Sequence, residues 1–454
     1  MEKFFKLREH GTDVRTEVIA GITTFMTMAY ILAVNPNILE ASGMDKGAIF
    51  TATALASAIA TFLMAFLANL PFVLSAGMGL NAYFAYTVVG NMGYSWQVAL
   101  AAVFVEGIIF ILLSVGNIRE AIFNMIPATI KVAVSVGIGL FIAFIGLQNA
   151  KIVVGSATLV GLFNIKGSFA DGTFHTIGIT VLIALLGTVI TGILVAKRVK
   201  GNILIGIFIT WFIGMLAQVT KLYVPDPANG FYSVFPSAIV ALPKSMAPTL
   251  MKMDFSMAIK APLDFAVVCF AFLFVDMFDT LGTLIGCASK GNMLDKEGKL
   301  PGIKGALTAD AVGTAVGAVF GTSTITTFVE SASGIAEGGR TGLTAVVSGG
   351  LFLLSLFFSP LFLAIPSFAT APALIVVGFL MMQQVTKIEW ENLTEAIPAF
   401  FCIIAMPFMY SISEGISLGI ISYVIVNLIC GKKEKISIPM YVLSLVFVLK
   451  YFLI

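Results

Sequence analysis

Residues 321–342 read GTSTITTFVESASGIAEGGRTG. Five of the first seven are threonine or serine, and Glu330, Ser331, Ser333 and Gly334 follow. Apolar runs at 304–321 and 343–365 flank the segment, so a membrane span is due here, yet it is too polar for an uninterrupted lipid-facing helix. Irregular backbone survives at membrane depth only where protein or a water-filled cavity satisfies its polar groups. An earlier stretch has the same character. PFVLSAGMGLNAYFAYTVVG (71–90) opens on Pro71 and carries Ser75, Gly77, Gly79 and Asn81 in its first half. Each is the third span of its half of the chain. A half-helix is therefore expected to begin near the midplane in each, turning free N–H groups and positive partial charge toward a bound ligand. Asn81 and Glu330 then fall at comparable places in the two halves. The plainer alternative is a re-entrant or cytoplasmic loop.

The rest of the chain supports a membrane setting. Of 454 residues, 59% are hydrophobic and 11% charged, where a soluble domain carries about 25% charge. The expected class is an all-α polytopic membrane protein embedded in the lipid bilayer. A net charge of +2 argues against a nucleic-acid partner. Cys269, Cys287, Cys402 and Cys430 lie in apolar segments at unrelated spacings, which suggests neither a disulfide frame nor a metal site. No metal or cofactor is implied. At about 20 apolar residues per crossing, fourteen spans are expected: 18–36, 48–70, 72–90, 97–116, 128–148, 176–197, 201–220, 262–287, 304–321, 322–342, 343–365, 371–387, 395–412 and 415–431. The tail 437–454 is left open between crossing the membrane and lying at its surface. With the N-terminus cytoplasmic, the inner loops collect Arg119, Lys197, Arg198, Lys200, Lys290, Lys296, Arg340, Lys387, Lys432 and Lys433, as the positive-inside rule requires.

Faint internal similarity accompanies this count. GNILIGIFITWFIG (201–214) resembles EGISLGIISYVIVN (414–427), and IPATIKVAVSVGIGL (126–140) parallels IPSFATAPALIVVGF (365–379). The matches lie seven spans apart, which reverses orientation and predicts inverted repeats, the usual plan of secondary transporters.

Acidic residues inside the spans mark the candidate site. FAFLFVDMFDTLGTLIG (270–286) buries Asp276 and Asp279 three residues apart on one helical face. A carboxylate at the centre of a membrane helix costs roughly 2.5–3.5 kcal/mol on insertion scales, so a function is expected in return. At least one should face a substrate cavity, while the other holds backbone or carries a proton; capping or helix pairing is the alternative. Two neighbouring carboxylates at low dielectric do not both stay ionised easily. The two histidines, His10 and His175, sit in the tail and at a span end, which leaves carboxylates as proton carriers. Phe272, Phe274, Met277 and Phe278 supply an apolar wall or face lipid. Glu106, within VFVEGIIFI, reads equally as a relay or an interhelical hydrogen bond, while Asp310 and Glu337 read as span ends. Acids, amides and hydroxyls without a midplane cation suit a flat neutral molecule rich in N–H donors, and disfavour an anion.

Four blocks together carry a resemblance: TEVIAGITTFMTMAYILAVNPNIL (16–39), SAGMGLNAYFAY (75–86), VDMFDTLGTLIG (275–286) and GTSTITTFVESASGIAEGGRTGLTA (321–345). They resemble the AzgA-like purine permeases, a branch of the nucleobase:ascorbate and nucleobase:cation symporter family. The resemblance implies two inverted seven-helix repeats with short extended stretches in the third and tenth spans. It divides the chain into a tail (1–17), core (18–127), gate and linker (128–261), core (262–365), gate (366–431) and a hydrophobic tail (432–454). It implies that Asp276 or Asp279 and Glu330 hold the purine, with Asn81 close by and Thr324 and Ser331 alongside. By family likeness and position, Asp276 is expected on the ligand and Asp279, with Glu106, in proton coupling or site organisation. The stretch Glu330-Ser331-Ala332-Ser333-Gly334 departs from the Gln/Glu-Asn-x-Gly pattern of the ascorbate and uracil branches, which favours purines. The expected function is proton-coupled import of guanine, hypoxanthine or adenine across a bacterial inner membrane. An anion transporter of like architecture, an intramembrane enzyme and a channel are the alternatives. No DDxxD or HExxH signature supports the enzyme. A homodimer is left open.

Overall fold

The computed structural model describes residues 2–115, 126–156, 159–226, 231–295 and 300–453. Arg119 and Lys296 lie outside them. A short helix α1 (Glu2–Phe5) precedes α2 (Val14–Met28), which Asp13 caps by accepting from the Thr16 N–H at 2.8 Å. The expected first span is broken. α2 stops at Ala29, and α3 (Ile31–Leu39) resumes after a tight turn at Tyr30. Pro36, which has no N–H to donate, lies inside α3, six residues beyond this turn. α4 (Lys46–Leu63) begins on Asp45, which accepts from Ala48 at 2.7 Å.

The third span is neither a loop nor a plain helix. It consists of a strand, β1 (Leu74–Ala76), then α5 (Met78–Ala82), which continues as π-helix through Asn91. α6 (Trp96–Val115), α7 (Ala128–Asn149), a hairpin β2–β3 (Val153–Ser156, Leu159–Leu162) and α8 (Ile165–Ala170) follow. After α9 (Ile179–Ala196) and α10 (Asn202–Val219) comes a long connection with a single short helix, α11 (Ser256–Lys260). α12 (Pro262–Lys290) and α13 (Ile303–Phe320) lead into β4 (Ile325–Thr327) and the short α14 (Ser331–Ala336). The chain ends with α15 (Gly342–Ser355), α16 (Ser359–Leu363), α17 (Ser367–Met382), α18 (Leu393–Phe408), α19 (Ile412–Ile429) and α20 (Ile438–Leu453).

Eleven helices among the described residues are long and apolar enough to cross a membrane. Two of the remaining expected spans are the strand-and-helix segments. The third, 395–412, is the 16-residue α18. The hairpin β2–β3 and the π-helical stretch were not expected, because neither carries a sequence signal distinct from its apolar surroundings.

Helices α4, α12 and α13 pack on the two strands, α6 packs on α12 and α13, and α15 joins α4 to α2, while α7, α9, α10, α17, α18 and α19 pack mainly on one another. α5 and α12 touch α7 where the groups meet. An ion pair between Lys200 and Glu337 joins them at one face, so Glu337 serves as a tie rather than only a span end. The N-terminal tail is also less separate than expected. Glu17 is fully buried and accepts from the backbone N–H groups of Arg340 (2.8 Å) and Thr344 (3.0 Å) and the Thr344 hydroxyl (2.6 Å). It thereby satisfies the open N–H groups at the start of α15. α20 returns along α19: Tyr451 near its end donates to Glu414 in the first turn of α19. On its other side Phe447 meets Phe270 of α12 edge to face, with ring centroids 5.6 Å apart.

Candidate functional site

β1 and β4 cross antiparallel, with Leu74 opposite Thr327, Ser75 opposite Thr326 and Ala76 opposite Ile325. The ladder continues at both ends through Gly77 N–H to the Thr324 carbonyl (3.1 Å) and Phe328 N–H to the Val73 carbonyl (3.0 Å). All six strand residues are buried. Two short strands solve the problem of extended backbone at depth, because each supplies the partners that water would otherwise supply. Outer edges are closed by side chains: Thr61 exchanges bonds with Leu74 (3.1 and 3.2 Å), and Thr314 donates to the Ile325 carbonyl at 2.9 Å.

The hydroxyl run of the tenth span is distributed around this crossing. Thr322 accepts from Asn35 at 3.0 Å, Ser323 bonds Asn81, Thr324 donates to Glu106 at 2.8 Å, and Thr326 meets Thr280 at 2.7 Å. Ser331 accepts from the Val73 N–H at 3.1 Å. Asn81, Thr324 and Glu106 thus meet at one end of the ribbon and Ser331 stands at the other, each bonded to protein groups that hold the ribbon in place. Glu106 of α6 is thereby bonded to the extended stretch that leads into β4.

The strand register corrects one expectation. Counting outward from Ser75 and Thr326, Glu330 corresponds to Gly79, and Asn81 to Ala332. The two residues lie at opposite ends of the ribbon, Asn81 beside the start of β4 and Glu330 beyond its end. Gly79 is closely packed, since a Cβ there would come within 2.8 Å of Ile138 on α7.

The aspartates of α12 separate by depth. Asp276 is fully buried, and Thr280 lies 3.0 Å from it, 2.7 Å from Asp310 and 2.7 Å from Thr326. Asp310 is also fully buried, along the length of α13 instead of at a span end. Asp279 is partly exposed and lies beside Gly77. Glu330 is partly exposed as well. Its carboxylate does not cap its own helix; it accepts from the Tyr30 hydroxyl at 2.6 Å. Asp279 and Glu330 therefore form the accessible acidic pair, with Asp276 and Asp310 behind. Phe272, Phe274 and Met277 turn into the protein, and Tyr83 packs on Phe272 edge to face at 4.8 Å. The Phe278 side chain lies outside the described residues.

Sequence reasoning missed Tyr30, Thr280, Thr326 and the depth of Asp310. The one available signal is a tyrosine hydroxyl at the centre of a largely apolar span that also carries Pro36. No lysine or arginine occurs in 71–118, 262–289 or 305–339, the segments that build the crossing.

The chain superposes on the transmembrane domain of a cyanobacterial bicarbonate transporter, BicA, with a TM-score of 0.64 at 16% identity, over 89% of this chain and 97% of that one. It superposes on SLC26A9 with a TM-score of 0.65 at 12% identity, over 92% of this chain and 66% of that one. What these likenesses define is the class of fold, a multi-pass membrane one. A family model described as "Permease family" matches residues 15–418. Over 99% of this chain it is 42% identical to the adenine permease AdeP of Escherichia coli, of which it covers 95%. Over 99% it is 43% identical to the guanine/hypoxanthine permease PbuG of Bacillus subtilis, of which it covers 99%. The chain belongs to this permease family, and its resemblance to the AzgA-like purine permeases is borne out.

Proposed function

We propose that the protein imports purine nucleobases together with protons. The observation that carries this reading is the accessible pair Asp279 and Glu330 beside the crossing of β1 and β4. Carboxylates accept N–H bonds, and a purine offers N–H donors along the edge of a flat neutral ring. The full-length likeness to AdeP and PbuG supports the same substrate class. Asp279 takes the contact expected of Asp276, because Asp276 is sealed behind it.

A count of protons around Thr280 supports the proton coupling in this reading. A hydroxyl has one proton and two lone pairs. Thr280 and Thr326 supply two protons for three close oxygen contacts, to Asp276, Asp310 and each other. All three are hydrogen bonds at once when one carboxyl is protonated. The buried pair can thus hold the coupling proton one helical turn from Asp279.

The wider architecture in this reading is fourteen spans in two inverted repeats. Spans around β1 and β4 form a core that moves against a gate of α7, α9, α10, α17, α18 and α19 for alternating access. The protein sits in the plasma membrane with its N-terminus cytoplasmic, consistent with Arg198, Lys200, Arg340 and Lys432 at one face. Anion transport is the second reading, favoured by the likeness to BicA and SLC26A9. Uptake of radiolabelled hypoxanthine in the presence of unlabelled guanine, adenine, uracil, bicarbonate and sulfate separates them. Competition by purines alone supports import of purines, and competition by the anions alone overturns it.

A further inference from the structure

Tyr30 occupies an unusual place. It sits in the turn between α2 and α3, is fully buried, and reaches a residue 300 positions away in sequence. Its hydroxyl donates to Oε1 of Glu330 at 2.6 Å, the short distance of a bond to a charged acceptor. Glu330 holds the N-cap position of α14, where a shorter Ser, Thr, Asp or Asn side chain ordinarily bonds back to the helix. Here no such cap forms, and the carboxylate is turned to the first span instead.

The surroundings fix both partners. α14 is pressed onto α2: a Cβ on Gly334 would lie 2.1 Å from Thr24 Oγ1 and 2.7 Å from the Ala20 carbonyl. Tyr30 stands in the turn between α2 and α3, and its hydroxyl reaches across to the start of α14. We propose that Tyr30 is a positioning residue for Glu330. It occupies one carboxylate oxygen and leaves the other to accept an N–H from the base. A glutamate has three rotatable bonds, and tethering one oxygen lowers the ordering cost of presenting the other. The proposal rests on the reading that Glu330 meets the purine.

A double-mutant cycle tests it. Hypoxanthine, guanine and adenine are titrated calorimetrically into purified wild type, Tyr30→Phe, Glu330→Gln and the double variant. Tyr30→Phe removes one oxygen and keeps the ring. About a tenfold loss of affinity is expected for it, and about ten- to a hundredfold for Glu330→Gln. Because Tyr30 acts through Glu330, the double variant should bind no more weakly than Glu330→Gln alone. Losses that multiply in the double variant, or a Tyr30→Phe protein that binds like wild type, overturn the proposal. Normal binding by Glu330→Gln overturns the reading beneath it and the proposal with it. Glu330→Asp gives a measurement that does not depend on Tyr30→Phe folding, since it keeps the charge but withdraws it from the hydroxyl. It should bind as weakly as Tyr30→Phe is expected to, and wild-type affinity in Glu330→Asp contradicts the assignment.

Discussion

Ser75 and Thr326 face each other at the centre of an antiparallel crossing buried inside a helical membrane protein. The crossing is tight because Gly77 follows β1 directly. A Cβ on Gly77 would come within 2.6 Å of the Thr326 methyl group. Gly77→Ala is therefore expected to destabilise the protein by roughly 1–3 kcal/mol, the usual range for overpacking, and to weaken purine binding. Gly282→Ala is the control, since a Cβ at Gly282 meets nothing within 4 Å. Thermal unfolding in detergent should show a lowered midpoint for Gly77→Ala alone. Equal midpoints in both variants would show that the ribbon tolerates more room than its geometry allows.

The two aspartates of α12 should behave differently when neutralised. Asp279 is the accessible member, and Asp276 is enclosed with Thr280 and Asp310. Asp279→Asn is expected to lose about ten- to a hundredfold in purine affinity, as for a lost hydrogen bond to a charged group. Asp276→Asn should retain binding better than it retains uptake against a gradient. Calorimetry and vesicle uptake on the same preparations decide between them. Loss of binding in Asp276→Asn alone restores the order expected from family likeness.

Glu17 offers a stability test remote from the ligand. Its carboxylate accepts from three backbone N–H groups and a hydroxyl at the start of α15. Glu17→Ala leaves those donors buried without their acceptor and should cost about 1–3 kcal/mol. Glu9→Ala, on an exposed residue paired only with Lys6, should cost close to nothing. Unfolding midpoints of the two variants check this, and equal shifts would show that the buried cap contributes no more than a surface pair.

α20 has 16 residues and runs back along α19, which places its far end beside the first turn of that helix. At 1.5 Å per residue it spans about 24 Å, most of the hydrocarbon thickness. A reporter fused after Ile454 is therefore expected on the opposite face from one fused after Lys435. Alkaline phosphatase fusions in Escherichia coli should be active at the first position and inactive at the second. Inactivity at both would place α20 at the membrane surface.

Much of this was legible in the sequence, and the reasons differ by residue. Threonines and serines at membrane depth announce broken backbone in the third and tenth spans, because lipid offers nothing to bond them. Asp276, Asp279 and Glu330 stand out for the same reason. Their order of depth does not, since i and i+3 share a helix face and only the neighbouring β4 and α13 decide which one is enclosed. Tyr30 is ordinary in an apolar span until its partner, 300 residues away, is known. Glu17 looks like part of a charged tail because its neighbours are charged, and its role appears only when α15 is packed against α2. The register of Asn81 and Glu330 was misjudged by two positions, because alignment by residue type cannot see which strand residues face each other.

The most direct test of the central claim is uptake by purified protein in proteoliposomes, with radiolabelled hypoxanthine, guanine and adenine offered separately. An inward proton gradient is imposed with and without a protonophore, and sodium is replaced by choline. At least one purine should accumulate above its external concentration, collapse on addition of the protonophore and ignore the change of cation. Failure of all three purines to enter, or accumulation that requires sodium and survives the protonophore, would contradict proton-driven purine import.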